Sequence, residues 1–112
     1  MRCAVQNEGD VTVFTLEGSI DALEAPELDA RVQEELAAGM RQAVLMMAGV
    51  DYISSAGLRS VLGIARGLRS RGGAICFVAL QPSVSEVLEI SGFSAYFKAY
   101  DTVDEARAAL LG

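Results

Sequence analysis

The 112-residue chain has no histidine. That absence removes Ser-His-Asp and Cys-His catalysis, imidazole acid–base chemistry and histidine-based zinc sites. Cysteine is scarce, with only Cys3 and Cys76. One pair is not a disulfide framework, and neither residue has metal-ligand spacing. Both lie in apolar runs, so the expectation is two reduced, buried thiols that act as small hydrophobes. Lysine occurs once, at Lys98, and no Gly-Lys pair exists, which excludes a nucleotide-hydrolysing phosphate loop. Long apolar runs are also missing. The longest, "AVLMMAGV" at 43–50, falls well short of the roughly 20 residues a spanning helix needs. The opening "MRCAVQNEGD" turns polar too soon for a signal peptide. The expectation is a soluble, cytoplasmic protein with no membrane partner.

What is present is a core. Hydrophobic residues make up 52% of the chain, which argues against disorder. The length suits one compact domain over residues 1–112, burying roughly two-thirds of its unfolded surface. The net charge of −6 argues against direct binding to nucleic acid. The charge is uneven. Residues 1–51 hold ten acids and three arginines, whereas residues 52–112 hold five acids, five arginines and one lysine. The acidic half ends at "DYISSAGL", residues 51–58, where two hydroxyls sit between a hydrophobic run and an amphipathic one.

Residues 3–7 and 11–17 read as two strands joined by the turn "NEGD", and "GSID" at 18–21 reads as a loop. Pro26 opens a helix whose Leu28, Val32 and Leu36 share one face; Gly39 ends it. Its other face, with Glu24, Glu27, Asp29, Glu34 and Glu35, reads as solvated. Residues 42–48 suit a strand buried on both faces, with "GVDYIS" leading out of it. From Ser55 the spacing of Leu58, Val61, Leu62, Ala65 and Leu68 predicts a helix, stopped by Gly72-Gly73. A second buried strand covers 74–80. Pro82 then starts a short helix with Ser83 and Glu86 spaced as a capping box, and Gly92 ends it. A short strand at 96–100 and a last helix follow; that helix has capping-box spacing at Thr102 and Glu105 and is lined by Val103, Ala106 and Leu110. Alternating strands and helices imply an α/β fold with a mostly parallel sheet, right-handed crossovers and an antiparallel edge from the first hairpin. "GSID", "GVDYISSAGL" and "LQPS" then emerge at the carboxyl ends of strands, where sites gather in such sheets.

Three roles compete for the two serines. A helix starting near residue 56 needs an N-cap, and one serine meets that need. Capping leaves the second serine, and an exposed Gly57, without a purpose. A nucleophile elbow requires glycine two residues either side of the serine; Gly57 provides one for Ser55, but Ile53 takes the other place, and no histidine is available as base. A phosphorylation switch needs only an accessible hydroxyl at a helix N-terminus, where free N–H groups tolerate a phosphate.

The stretch "VLMMAGVDYISSAGLRSVL" at 44–62 resembles the STAS domain of anti-sigma factor antagonists. The likeness extends to "LEGSIDALEAPEL" at 16–28, to "GGAICFVAL" followed by "VSEVLEISGF", and to the closing "YDTVDEARAAL". It therefore covers nearly the whole chain. The resemblance implies the STAS fold, no catalysis, no cofactor and no metal. It implies a partner-switching protein whose unphosphorylated form binds a GHKL-type anti-sigma serine kinase and frees a sigma factor. Phosphorylation turns binding off, and a PP2C-type phosphatase restores it. The family's acceptor lies two residues before the motif glycine, which here is Ser55. Asp21 matches an acidic position that lies beside the serine in the family. The implied partner-binding residues are Asp21, Ser54, Ser55, Ala56, Gly57 and Arg59. Many relatives carry Asp directly before the acceptor; here Ser54 stands there and is the better N-cap candidate. Met46 and Ala48 likewise replace polar residues of the preceding strand. The alternative within the family is a non-phosphorylated subunit of a larger assembly such as a lipid-transport complex. A small-molecule or nucleotide binder at the strand ends has no phosphate-binding loop in its support.

Overall fold

The computed structural model describes residues 1–92, 96 and 98–111. Strands β1 (Arg2–Glu8) and β2 (Val11–Ile20) pair antiparallel around a two-residue turn, where Gly9 takes a φ of 70° that favours glycine. Helix α1 (Ala25–Ala37) follows, with Pro26 in its first turn. Then come β3 (Gln42–Ile53), α2 (Ser55–Ser70), β4 (Ala74–Val78), α3 (Pro82–Ile90), β5 (Lys98–Tyr100) and α4 (Val103–Leu111). The strands lie in sequence order, and every pair after the first is parallel. The expected mixed α/β sheet is therefore present.

Strand alternation sends side chains to two faces, and each face builds its own core. On one face Phe14, Leu16, Leu45, Met47 and Phe77 pack against Leu28 and Val32 of α1, Val61 and Leu68 of α2, and Val84 and Leu88 of α3. On the other, Val11, Val13, Val44, Cys76 and Val78 pack against Ala106 of α4. An ion pair from Arg107 to Glu8 ties α4 to the end of β1. The helix periodicity of the sequence holds: Leu28 and Val32 are buried in α1, and Val61, Leu62, Ala65 and Leu68 in α2. Both cysteines are free; Cys76 is buried as expected, but Cys3 only partly.

Several boundaries differ from the sequence reading. Residues 18–20 continue β2 instead of opening a loop, and β3 runs to Ile53 instead of ending near 48. The register between these two strands slips twice, between Thr15 and Glu17 and between Gly18 and Ser19. Each slip adds a residue to β3, so burial there recurs at Met47, Val50 and Ile53, every third residue instead of every second. Pairing with β4 stops at Met46, leaving the far half of β3 with an open edge. Side chains from the start of α3 cover it: Gln81 Nε2 donates to the Ala48 carbonyl at 2.8 Å, and the Ser83 hydroxyl to the Asp51 carbonyl at 3.1 Å. Ser83 is thus not the cap of α3, whose N-cap position is Gln81. β4 is shorter than expected and ends at Val78, and Ala79 turns the chain with a left-handed φ of 57°. The expected strand at 96–100 is β5 over 98–100; Phe97 lies outside the described residues. Thr102 does cap its helix, its hydroxyl accepting from the Glu105 N–H at 3.2 Å. No helix among the described residues is long and apolar enough to cross a membrane.

Candidate functional site

The carboxyl ends of β2 and β3 meet at one corner. Ile20 pairs with Ile53, so the next residues, Asp21 and Ser54, leave the sheet side by side. Ile53 is buried and anchors the strand end. Ser54 then bonds back to β2: its N–H donates to the Ile20 carbonyl at 3.0 Å, and its hydroxyl reaches the same oxygen at 3.4 Å. The Ser54 oxygen also accepts from the Gly57 N–H at 3.0 Å, with the extended backbone of an N-cap, and its carbonyl takes the Leu58 N–H. One serine therefore joins two strands and starts α2.

Ser55 does none of this. It is the first residue of α2, it is exposed, and its hydroxyl has no hydrogen-bond partner among the described residues. The N–H groups of Ser55 and Ala56 are those of the open first turn, and no acid lies in that turn. Ala56 is half-buried. Arg59, exposed, stands one helical turn after Ser55 on the same side of α2. Ala56 and Arg59 line a shallow groove between α1 and α2, where the Ser60 hydroxyl donates to Asp29 at 2.7 Å.

Gly57 corrects the sequence reading, because it is buried. A Cβ there would sit 2.1 Å from the Ile20 carbonyl oxygen. Glycine is needed for close packing of α2 on β2, not for exposure. Asp21 also has a local task. Its carboxylate accepts from the N–H groups of Leu23 and Glu24, at 3.1 and 2.9 Å, and so shapes the turn into α1. Asp51 accepts from the Ser19 hydroxyl at 3.3 Å. The corner thus carries two carboxylates, each fixed by a donor, beside one unencumbered hydroxyl.

Two features escaped the sequence reading. Leu23 is 84% and Tyr52 55% exposed at this same end of the sheet, leaving apolar surface around the serine. A large apolar residue between Asp21 and Glu24, just before the helix-opening Pro26, was the available signal for Leu23. Nothing in the sequence marks the Ile20 carbonyl, which acts through its backbone alone.

A sheet of this order, with a capped helix rising from the end of β3, defines a class. The family model for the STAS domain matches residues 2–106, and the chain belongs to that family. A Bordetella bronchiseptica protein named as an anti-sigma factor antagonist, BtrV, is 36% identical over 109 residues, covering 97% of this chain and 94% of that protein. An anti-sigma factor antagonist structure from Thermotoga maritima superposes with a TM-score of 0.91 at 23% identity, covering 98% of this chain and 95% of the other. The phosphorylated form of the Bacillus cell-fate determinant SpoIIAA gives 0.76 at 18% identity, covering 96% and 98%. These two structures share the fold.

Proposed function

We propose that this protein is an anti-sigma factor antagonist, a binding module switched by phosphorylation of Ser55. The observation that carries the reading is the division of labour between adjacent serines. Ser54 commits its hydroxyl to the fold, while Ser55, an exposed residue at the helix start, has no hydroxyl partner among the described residues. The BtrV name and the STAS family support the antagonist role. The partner is a GHKL-type serine kinase that is also the anti-sigma factor, and a PP2C-type phosphatase reverses the modification.

Phosphate acts here by direct block. The frame around Ser55 is rigid, because Ser54 and Gly57 both close on the Ile20 carbonyl. The open N–H groups of the first turn stabilise an exposed phosphate by about 0.3–1 kcal/mol, so the added charge does not unfold the helix. It brings roughly two negative charges to a corner that already holds Asp21 and Asp51. A partner that covers this corner then has to bury an unpaired anion. Comparable losses at interfaces are about 2–5 kcal/mol, which is tens- to thousands-fold in affinity.

Incubation with a cognate kinase and ATP, followed by intact mass and phosphopeptide mapping, tests the assignment. Modification of Ser55, lost in Ser55→Ala while kinase binding persists, is expected. Phosphate on Ser54, or none at all, refutes it. Ser55→Asp should weaken kinase binding and move amide resonances only around 18–22 and 51–60. Shifts that reach α4 would replace direct block with a conformational switch.

A further inference from the structure

A cleft of about 270 Å³ opens at the opposite end of the sheet from Ser55, where β3 and β4 begin. Its walls combine Arg69, Lys98, Gln42 and the rings of Tyr96 and Tyr100. The two cations stand out in a chain of net charge −6. Neither forms an ion pair with a described residue. Arg69 is instead held over the Tyr96 ring, 5.0 Å from its centroid, with Arg66 at 5.8 Å from the same centroid. Gln42 adds a second observation: its side-chain oxygen is buried and has no hydrogen-bond partner among the described residues. Such an acceptor is unfavourable until a donor reaches it.

We propose that this cleft binds a small hydroxylated aromatic carboxylate. Uncompensated guanidinium and ammonium groups attract the carboxylate, the tyrosine rings offer flat apolar walls, and Gln42 accepts from the hydroxyl. The volume, below the roughly 300–1,000 Å³ of drug-sized sites, suits a single ring more than a nucleotide. The site stands apart from Ser55 and does not rest on the reading of that residue.

The test is an amide NMR titration of the full chain with 4-hydroxybenzoate. Saturable shifts confined to residues 42, 69–76, 96, 98 and 100 are expected, with Kd about 1 mM or tighter. Arg69→Gln and Lys98→Gln should each weaken binding about tenfold in a chain that still unfolds cooperatively, and Ser55→Asp should leave binding unchanged. 4-Hydroxybenzamide, with the same ring and hydroxyl but no charge, should bind about tenfold more weakly, as should inorganic phosphate. Absence of saturation up to about 10 mM overturns the proposal. So does equal binding of phosphate, which reports only attraction to surface cations, or equal binding of the amide. Undiminished binding in both glutamine variants also ends it.

Discussion

Replacing Gly57 with alanine puts one methyl group against the oxygen on which the site is built. The new Cβ would stand 2.1 Å from the Ile20 carbonyl oxygen and 2.9 Å from its carbon, where ordinary contact begins at 3.4 Å. The obstacle is backbone, held on its other side by the Ser54 N–H at 3.0 Å, so no side chain can swing away to make room. Either α2 retreats from β2 by more than an ångström or the strand end gives. Overpacking of this kind costs about 1–3 kcal/mol. Weakening the Ser54–Ile20 hydrogen bond adds about 0.5–1.5 kcal/mol. Alanine returns about 1 kcal/mol through its helix propensity. The net expectation is a loss of about 1–3 kcal/mol, which lowers Tm by roughly 5–15 °C in a domain of this size. Gly63 is an internal control on the same helix. It is exposed, and a Cβ there meets nothing within 4 Å. Gly63→Ala should therefore gain about 0.5–1 kcal/mol from propensity alone. Urea and thermal unfolding of the two variants side by side give the answer. A Gly57→Ala protein as stable as the parent, or two variants that shift in the same direction, would refute the close-approach argument.

Ser54→Ala should cost about 0.5–2 kcal/mol, whereas Ser55→Ala should stay within about 0.5 kcal/mol of the parent; chemical denaturation compares them, and reversed costs would mean that the cap is misassigned. Thr102→Ala should destabilise by about 0.5–2 kcal/mol through loss of the α4 cap. Burial pushes the Cys76 thiol above its ordinary pKa, with nearby Lys98 pulling the other way, and burial likewise raises Cys3. Folding therefore favours the neutral thiols. That stability is complete below the thiol pKa of the unfolded chain, about 8.5, and is lost as pH rises from there through the folded value. Denaturation midpoints should fall as pH rises above about 8.5, and less steeply in Cys76→Ala; an unchanged slope in that variant would show that Cys76 does not contribute.

The sequence was most legible where each residue acts through one local preference. Gly9, Pro26, Gly39 and Gly92 mark turns and helix ends because their backbone demands are local, and Thr102 caps the helix that it precedes. It was least legible where two segments distant in sequence act together. The second half of β3 escaped because the double register slip converts a two-residue period into a three-residue one. Ser83 has capping-box spacing with Glu86, yet its hydroxyl goes to the open edge of β3, a partner that exists only after the sheet has formed. The same reason hid the burial of Gly57. Its requirement comes from Ile20, thirty-seven positions earlier, and a Ser-Ser-Ala-Gly string carries no trace of that oxygen.

That hidden oxygen also bears on why two serines stand together. The Ile20 carbonyl collects the Ser54 N–H, the Ser54 hydroxyl and the close face of Gly57. Three constraints on one atom fix where α2 starts and how it is rotated. The residue between the cap and the rest of the turn then has its direction set by its neighbours and takes no part in holding the fold. A hydroxyl in that place can gain or lose a charged group at little cost to the domain, because no hydrogen bond of the frame passes through it. Had one serine served both as cap and as acceptor, phosphorylation would have esterified the oxygen that receives the Gly57 N–H and taken the proton that it offers to the Ile20 carbonyl, and helix and switch would have been coupled. In the switch proposed for Ser55, separating the two functions onto adjacent positions would let the charge of the corner change while its shape stays fixed, which is the condition that a direct block of a partner requires.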